Sequence, residues 1–142
     1  MAARIVEAGP VEIGIADTIG AAVPGQVFEL VSRVRGAVGS LPVRVHLHNT
    51  RNTGIANAVA ALEAGAASLD ASLGGIGGCP FAPRATGNIA TEDLLYLLDR
   101  SGIATGLDLG ATIDAAQWLG TQMARELPGL VSRAGPFPPT QA

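Results

Sequence analysis

The sequence predicts an α/β fold in which parallel strands alternate with helices. Short apolar runs of strand length alternate with segments whose apolar residues recur every three or four positions, and most of the 19 glycines fall just after one or the other. With 48% hydrophobic and 15% charged side chains over 142 residues, the chain can also fill a packed core.

The elements follow in order. Residues 2–8 read as the last turns of a helix that Gly9 and Pro10 end. Val11 to Ala16 is a short strand closed by the polar turn Asp17-Thr18-Ile19-Gly20. Pro24 suits a first helical position, and Val27, Leu30, Val31, Val34 and Val38 then give one apolar face, ending between Gly36 and Gly39. The second strand is Val43 to His48. Thr53 is placed to cap a helix carrying Ile55, Val59 and Leu62 on one face, with Gly65 as its stop. Ala67 to Leu73 is the third strand, followed by a glycine-rich segment and a loop to about Ile89. Two helices follow, Glu92 to Arg100 with Thr91 as cap and Leu109 to Leu127 with Asp108 as cap. From Pro128 the chain holds four prolines and no periodicity, so 1–127 is expected to be the folded portion and 128–142 a Pro-rich flexible tail.

Strands entered and left through helices are parallel neighbours joined by right-handed crossovers. Three such strands leave two open edges, and their order is that of three consecutive units of a (β/α)8 barrel. A complete barrel takes about 250 residues, so on this reading the chain is short by roughly 100.

Composition narrows the partners. All nine basic residues are arginine, twelve acids bring the net charge to −3, and no basic run exists, which disfavours nucleic acid. No apolar segment approaches about 20 residues and the single cysteine cannot form an internal disulfide, so a soluble cytoplasmic setting without a membrane partner is expected.

The two histidines carry the strongest chemical signal. His46 and His48 stand two apart in an apolar strand, so both imidazoles share one face and can converge on one ion, whereas Leu47 faces the other way with Val43 and Val45. Both also lie at the carboxyl end of a parallel strand. Metal ligation is therefore the preferred reading over a pair of strand-end residues bonded to neighbours or water. Arg44 points to the same side and needs a counter-charge, for which Asp70 in the next strand is a candidate. Asp17 ends the first strand on the side of Ile13 and Ile15, expected to be the inner one. There it either handles a proton or an ion's outer sphere, or simply caps its own turn.

Cys79 follows four glycines in six residues, an odd place for a buried filler and a suitable one for a lid that delivers a thiol to a ligand. The segment lacks the Lys-Ser/Thr of a phosphate loop and the context of a dinucleotide fingerprint. Asn88 offers a neutral oxygen, for a metal or for a local turn. By ligand type the set suits Zn²⁺ more naturally than Mg²⁺ or Mn²⁺, and ligand type does not settle the ion.

The segments Gly14-Ile15-Ala16-Asp17-Thr18-Ile19-Gly20, His46-Leu47-His48-Asn49-Thr50, Gly74 through Ala82 and Thr86 through Leu94 resemble the carboxyl-terminal half of the hydroxymethylglutaryl-CoA lyases. These belong to the metal-dependent TIM-barrel lyases and synthases. The paired histidines are common to the wider group, whereas the Gly-Gly-Cys-Pro loop followed by Gly-Asn-x-Ala-Thr-Glu-Asp is specific to the lyases.

The resemblance, which spans about residues 2 to 125, implies a partial barrel containing strands six to eight. It implies that His46, His48 and Asn88 ligate Mg²⁺ or Mn²⁺, that Cys79 is a catalytic thiol on a lid, and that Asp17 is an active-site acid. It also implies an acyl-CoA substrate, 3-hydroxy-3-methylglutaryl-CoA, cleaved to acetoacetate and acetyl-CoA, with Asp17 or His46 as base. Asn49 departs from the Asp usual there in the lyases. The family's fourth ligand, an Asp, and a neighbouring Arg come from strand one, and nothing before Asp17 matches them. The chain alone is therefore expected to be weak or inactive, with a second copy or a partner chain completing the barrel. The alternatives are a non-catalytic, self-associating remnant and a related metal-dependent synthase or aldolase.

Overall fold

The computed structural model describes residues 1–78 and 86–138. Helix α1 (Ala2–Val6) leads into strand β1 (Ile13–Asp17), helix α2 (Pro24–Val38), strand β2 (Val43–Leu47), helix α3 (Gly54–Glu63) and strand β3 (Ser68–Asp70). A 3₁₀ turn at Leu73–Gly75 precedes α4 (Thr91–Arg100), α5 (Leu109–Gln122) and α6 (Val131–Ala134). The strands form one parallel sheet in the order β1-β2-β3, as the alternation of elements requires.

Register decides which side chains share a face. Ile13 pairs with Val43, Ile15 with Val45 and Asp17 with Leu47, so these six lie on the helix-covered side. Val43, Val45 and Leu47 are each 1% exposed there, packed in one core with Val27 and Val31 of α2 and Ala58 and Ala61 of α3. The opposite face carries Gly14, Ala16, Arg44, His46, Ser68 and Asp70. This corrects the expectation that Ile13, Ile15 and Asp17 lie on the inner side with the histidines. Burying two isoleucines against the valine face removes more apolar surface from water than placing them beside Arg44 and His46.

Within α3 the buried positions are Gly54, Asn57, Ala58, Ala60 and Ala61, all but Asn57 small, while Ile55 and Leu62 are only partly buried. The short side chains let α3 lie close to α2 and β2. Gly54 at its start approaches so closely that a Cβ would stand 2.5 Å from Ile89 Cγ2. Thr53 does not cap α3 as expected: its hydroxyl donates to the Ala22 carbonyl (3.0 Å), and the Gly54 N–H donates to Asn49 Oδ1 (3.0 Å). Leu30 of α2, expected in the core, is about half exposed because it borders the open edge beside β1.

Several boundaries differ from the sequence expectation: β1 runs Ile13–Asp17 rather than from Val11 to Ala16, β2 ends at Leu47 rather than His48, and Thr91 is the first residue of α4 rather than its cap. β3 stops at Asp70, because Ser72 turns to bridge Ala90 and Gly74 adopts a left-handed conformation (φ 65°). α5 stops at Gln122, where Ala124 turns left-handed (φ 49°) and Arg125 N–H closes on the Gly120 carbonyl. Residues 128–134, expected to be part of a flexible tail, instead dock. Asp93 accepts the Leu130 and Val131 N–H groups at 2.7–3.1 Å, and Gly129 N–H donates to the Gly74 carbonyl (3.1 Å). An acidic side chain at the start of α6 supplied what composition alone could not signal. Among the described residues no helix is long and apolar enough to cross a membrane.

Candidate metal centre

The centre is built where β2 ends. His46 is the fourth residue of β2 on the uncovered face, and His48 follows one residue beyond the strand. Their rings lie 5.1 Å apart between centroids at 70°, so the period of two does bring both imidazoles to one place. His48 is buried at 4% exposure, while the His46 side chain is about one-third exposed.

Asn88 joins them through backbone pairing that no local pattern announces. His48 and Asn88 form an isolated antiparallel bridge, flanked by Ile89 N–H to the Leu47 carbonyl (3.3 Å) and Asn49 N–H to the Gly87 carbonyl (3.0 Å). The Asn88 amide donates through Nδ2 to the Ile76 carbonyl (2.9 Å), which fixes its orientation. Asn88 Oδ1 and His48 Nδ1 are then both buried with no hydrogen-bond partner among the described residues.

Two buried lone-pair atoms without donors are costly unless something electron-poor meets them. An imidazole nitrogen and an amide oxygen on bridged residues, with the partly exposed His46 imidazole beside them, form a donor set of the kind that suits a divalent cation. Burial first, and the neighbouring His46 second, push the His48 pKa below the ordinary imidazole value, against an opposing pull from Asp17. The shift favours the neutral imidazole, the form a metal requires. Among the described residues no three His, Cys, Asp or Glu side chains converge as ligands, so the set has no carboxylate of its own.

Asp17 is not part of this donor set. Its two oxygens accept the Ala21 and Ala22 N–H groups (3.0 Å each), which is the turn-capping alternative, although its charge still acts on His48. Arg44 does find Asp70, at 3.6 Å, but its closer partner is Glu12, at 2.7 Å. The hydrogen bond to Glu12, then the charges of Glu12 and Asp70, raise the Arg44 pKa above its ordinary value. Sequence reasoning missed Glu12, and it missed that Asp70 also reaches His46 (Nδ1 to Oδ2, 3.6 Å). The polar residues Ser68 and Asp70 of β3, and Glu12 just before β1, were the available signals. Cys79 lies outside the described residues. The foot of its segment is held by Gly74, whose N–H donates to the buried Glu92 carboxylate (2.9 Å).

A family model described as HMGL-like matches residues 1–119. The chain is 53% identical to the (R)-citramalyl-CoA lyase of Chloroflexus aurantiacus over 98% of its own length and 44% of that protein. It is 40% identical to a hydroxymethylglutaryl-CoA lyase of Bacillus subtilis, over 87% of its own length and 42% of that protein. Among solved structures, an HMG-CoA lyase from Acinetobacter baumannii in complex with coenzyme A and 3-methylmalate superposes with a TM-score of 0.91 at 41% identity. That match covers 96% of this chain and 45% of the other. The chain thus spans somewhat under half the length of these relatives.

Proposed function

The chain belongs to the HMGL-like family, and on that premise we propose that it forms the metal-binding part of a lyase that cleaves a 3-hydroxy-3-methylacyl-CoA into acetyl-CoA and a keto acid. The observation that carries this is the backbone bridge between His48 and Asn88, whose Nδ1 and Oδ1 atoms are both buried without a hydrogen-bond partner among the described residues, beside the ring of His46.

His46, His48 and Asn88 would hold the ion, Mg²⁺ or Mn²⁺ in the family reading. A divalent cation there supplies Lewis acidity to the hydroxyl and carboxylate oxygens of the substrate. The resemblance gives Asp17 or His46 as the acceptor of the 3-hydroxyl proton; His46 lies on the face of the site, whereas Asp17 would first have to release the Ala21 and Ala22 N–H groups. The electron pair of the C2–C3 bond passes to C2 as the hydroxyl carbon becomes a ketone. The Cys79 thiol returns a proton to C2, giving acetyl-CoA.

Hydroxymethylglutaryl-CoA, which yields acetoacetate, and citramalyl-CoA, which yields pyruvate, both fit this chemistry. The 53% identity to a citramalyl-CoA lyase against 40% to a hydroxymethylglutaryl-CoA lyase favours citramalyl-CoA. Three neutral donors bind a hard cation weakly, so full activity is expected to need a carboxylate from outside these 142 residues, brought to the open β1 or β3 edge. A cytoplasmic setting suits the reading.

The test is to tag the chain in its native host, isolate it alone and with whatever accompanies it, and supply both thioesters with Mn²⁺. Pyruvate and acetyl-CoA in equal amounts are expected, more from the assembly than from the isolated chain. Acetoacetate in place of pyruvate would move the substrate to hydroxymethylglutaryl-CoA. No cleavage in either preparation, with Mn²⁺ affinity indifferent to His46→Ala and Asn88→Ala, would overturn the reading.

A further inference from the structure

On the uncovered face of the sheet, polar side chains form a line across the strands. The Ser68 hydroxyl donates to Glu12 Oε2 (3.2 Å), Glu12 Oε1 lies 2.7 Å from Arg44 Nη2, Arg44 Nη1 lies 3.6 Å from Asp70 Oδ1, and Asp70 Oδ2 lies 3.6 Å from His46 Nδ1. Register produces the line: Arg44 pairs with Ser68 and His46 with Asp70, so the Asp70 carboxylate is directly opposite the imidazole and diagonal to the guanidinium. On the other side of β2 the paired residues are Gly14 and Ala16, which offer no polar side chain. The imidazole of His46 therefore has one neighbouring carboxylate in the sheet, and that carboxylate is held from behind by an arginine already anchored to Glu12.

We propose that Asp70 is a positioning residue for His46: it selects the Nδ1–H tautomer and leaves Nε2 as the free lone pair. The physical reason is that a carboxylate accepts but does not donate, so the ring nitrogen facing it carries the hydrogen. At 3.6 Å the two atoms are a few tenths of an ångström beyond hydrogen-bond distance, and a small rotation of the His46 ring, about one-third exposed, is required to close the gap. Arg44 takes the other oxygen and keeps the carboxylate from turning to solvent. The arrangement of carboxylate, imidazole and ion is the general means by which proteins fix the ring of a ligating histidine and raise its basicity. The use of the free Nε2 rests on the metal-centre reading, whereas the tautomer is a property of the chain without any ion.

Long-range ¹H–¹⁵N correlation spectra of the ¹⁵N-histidine-labelled chain, metal-free and at a pH where both rings are neutral, read the tautomer directly. His46 is expected as the Nδ1–H form. Asp70→Ala moves it toward the mixture seen in free histidine, and Asp70→Asn, which retains an acceptor oxygen, restores most of the Nδ1–H population. A wild-type His46 protonated at Nε2, or a tautomer unchanged in Asp70→Ala, overturns the proposal. Mn²⁺ titration by calorimetry is the second readout, where Asp70→Ala lowers affinity by about 10- to 100-fold. A wild-type chain with the expected tautomer and no Mn²⁺ binding would count against the metal centre while leaving the positioning role standing.

Discussion

His48 and Asn88 face each other across an isolated backbone bridge, 40 positions apart in the chain, and each presents one buried side-chain atom with no hydrogen-bond partner among the described residues. Neither atom is stranded by accident of packing. The Asn88 amide is clamped by its bond to the Ile76 carbonyl, and burial, then His46, lower the His48 pKa and so favour its neutral form.

Removing either donor should therefore weaken ion binding without unfolding the chain. His48→Ala and Asn88→Ala are each expected to lower Mn²⁺ affinity by about tenfold or more, roughly 1.4 kcal/mol per decade. Calorimetric titration beside a urea unfolding curve separates the two effects. Unchanged affinity in a folded variant would remove that residue from the centre.

Acid should destabilise the chain through His48. Its folded pKa lies below the unfolded value of about 6.5, so between the two values the unfolded chain binds a proton that the folded chain does not. The stabilisation from keeping His48 neutral is complete above the unfolded value and is lost as pH falls through the folded one. Urea midpoints should drop as pH falls through the unfolded value of about 6.5 and below it, and the drop should be smaller in His48→Gln. A midpoint that rises with acid, or an identical slope in the variant, would contradict the assignment.

Gly54→Ala sets helix propensity against close approach. Alanine gains at most about 1 kcal/mol, the helix-interior value, at this first residue of α3, but its methyl carbon would lie 2.5 Å from Ile89 Cγ2, 2.9 Å from Asn49 Oδ1 and 3.1 Å from the His48 carbonyl. Overpacking of this kind costs about 1–3 kcal/mol, and at this position it presses on the turn that places His48. A net loss of about 1 kcal/mol, with weaker Mn²⁺ binding, is expected. A stabilised variant would show that α3 can retreat freely.

Asp93→Ala tests the docking of residues 128–134. Its carboxylate accepts two N–H groups at the start of α6, and loss of such a cap costs about 0.5–2 kcal/mol. Hydrogen exchange at Val131–Ala134 should accelerate while β2 stays protected. Equal exchange in both chains would mean that the segment does not depend on Asp93.

Much of this molecule is written in short-range pattern. The apolar periods of α2 and β2, Pro24 at a helix start and Asp108 as the cap of α5 are local signals, and the elements form where they say. The convergence of His46 and His48 is local too, because an extended backbone sends residues two apart to one side. What short-range pattern does not carry is pairing. Asp17 went to the helix side because Ile15 pairs with Val45, and Asp70 became the neighbour of His46 because β3 pairs one step from Ser68. Asn88 met His48 through a bridge between segments far apart in the chain. Periodicity is set by neighbours along the backbone, so a sequence displays it. Register is set by which distant surfaces bury together, and only the folded chain makes that choice.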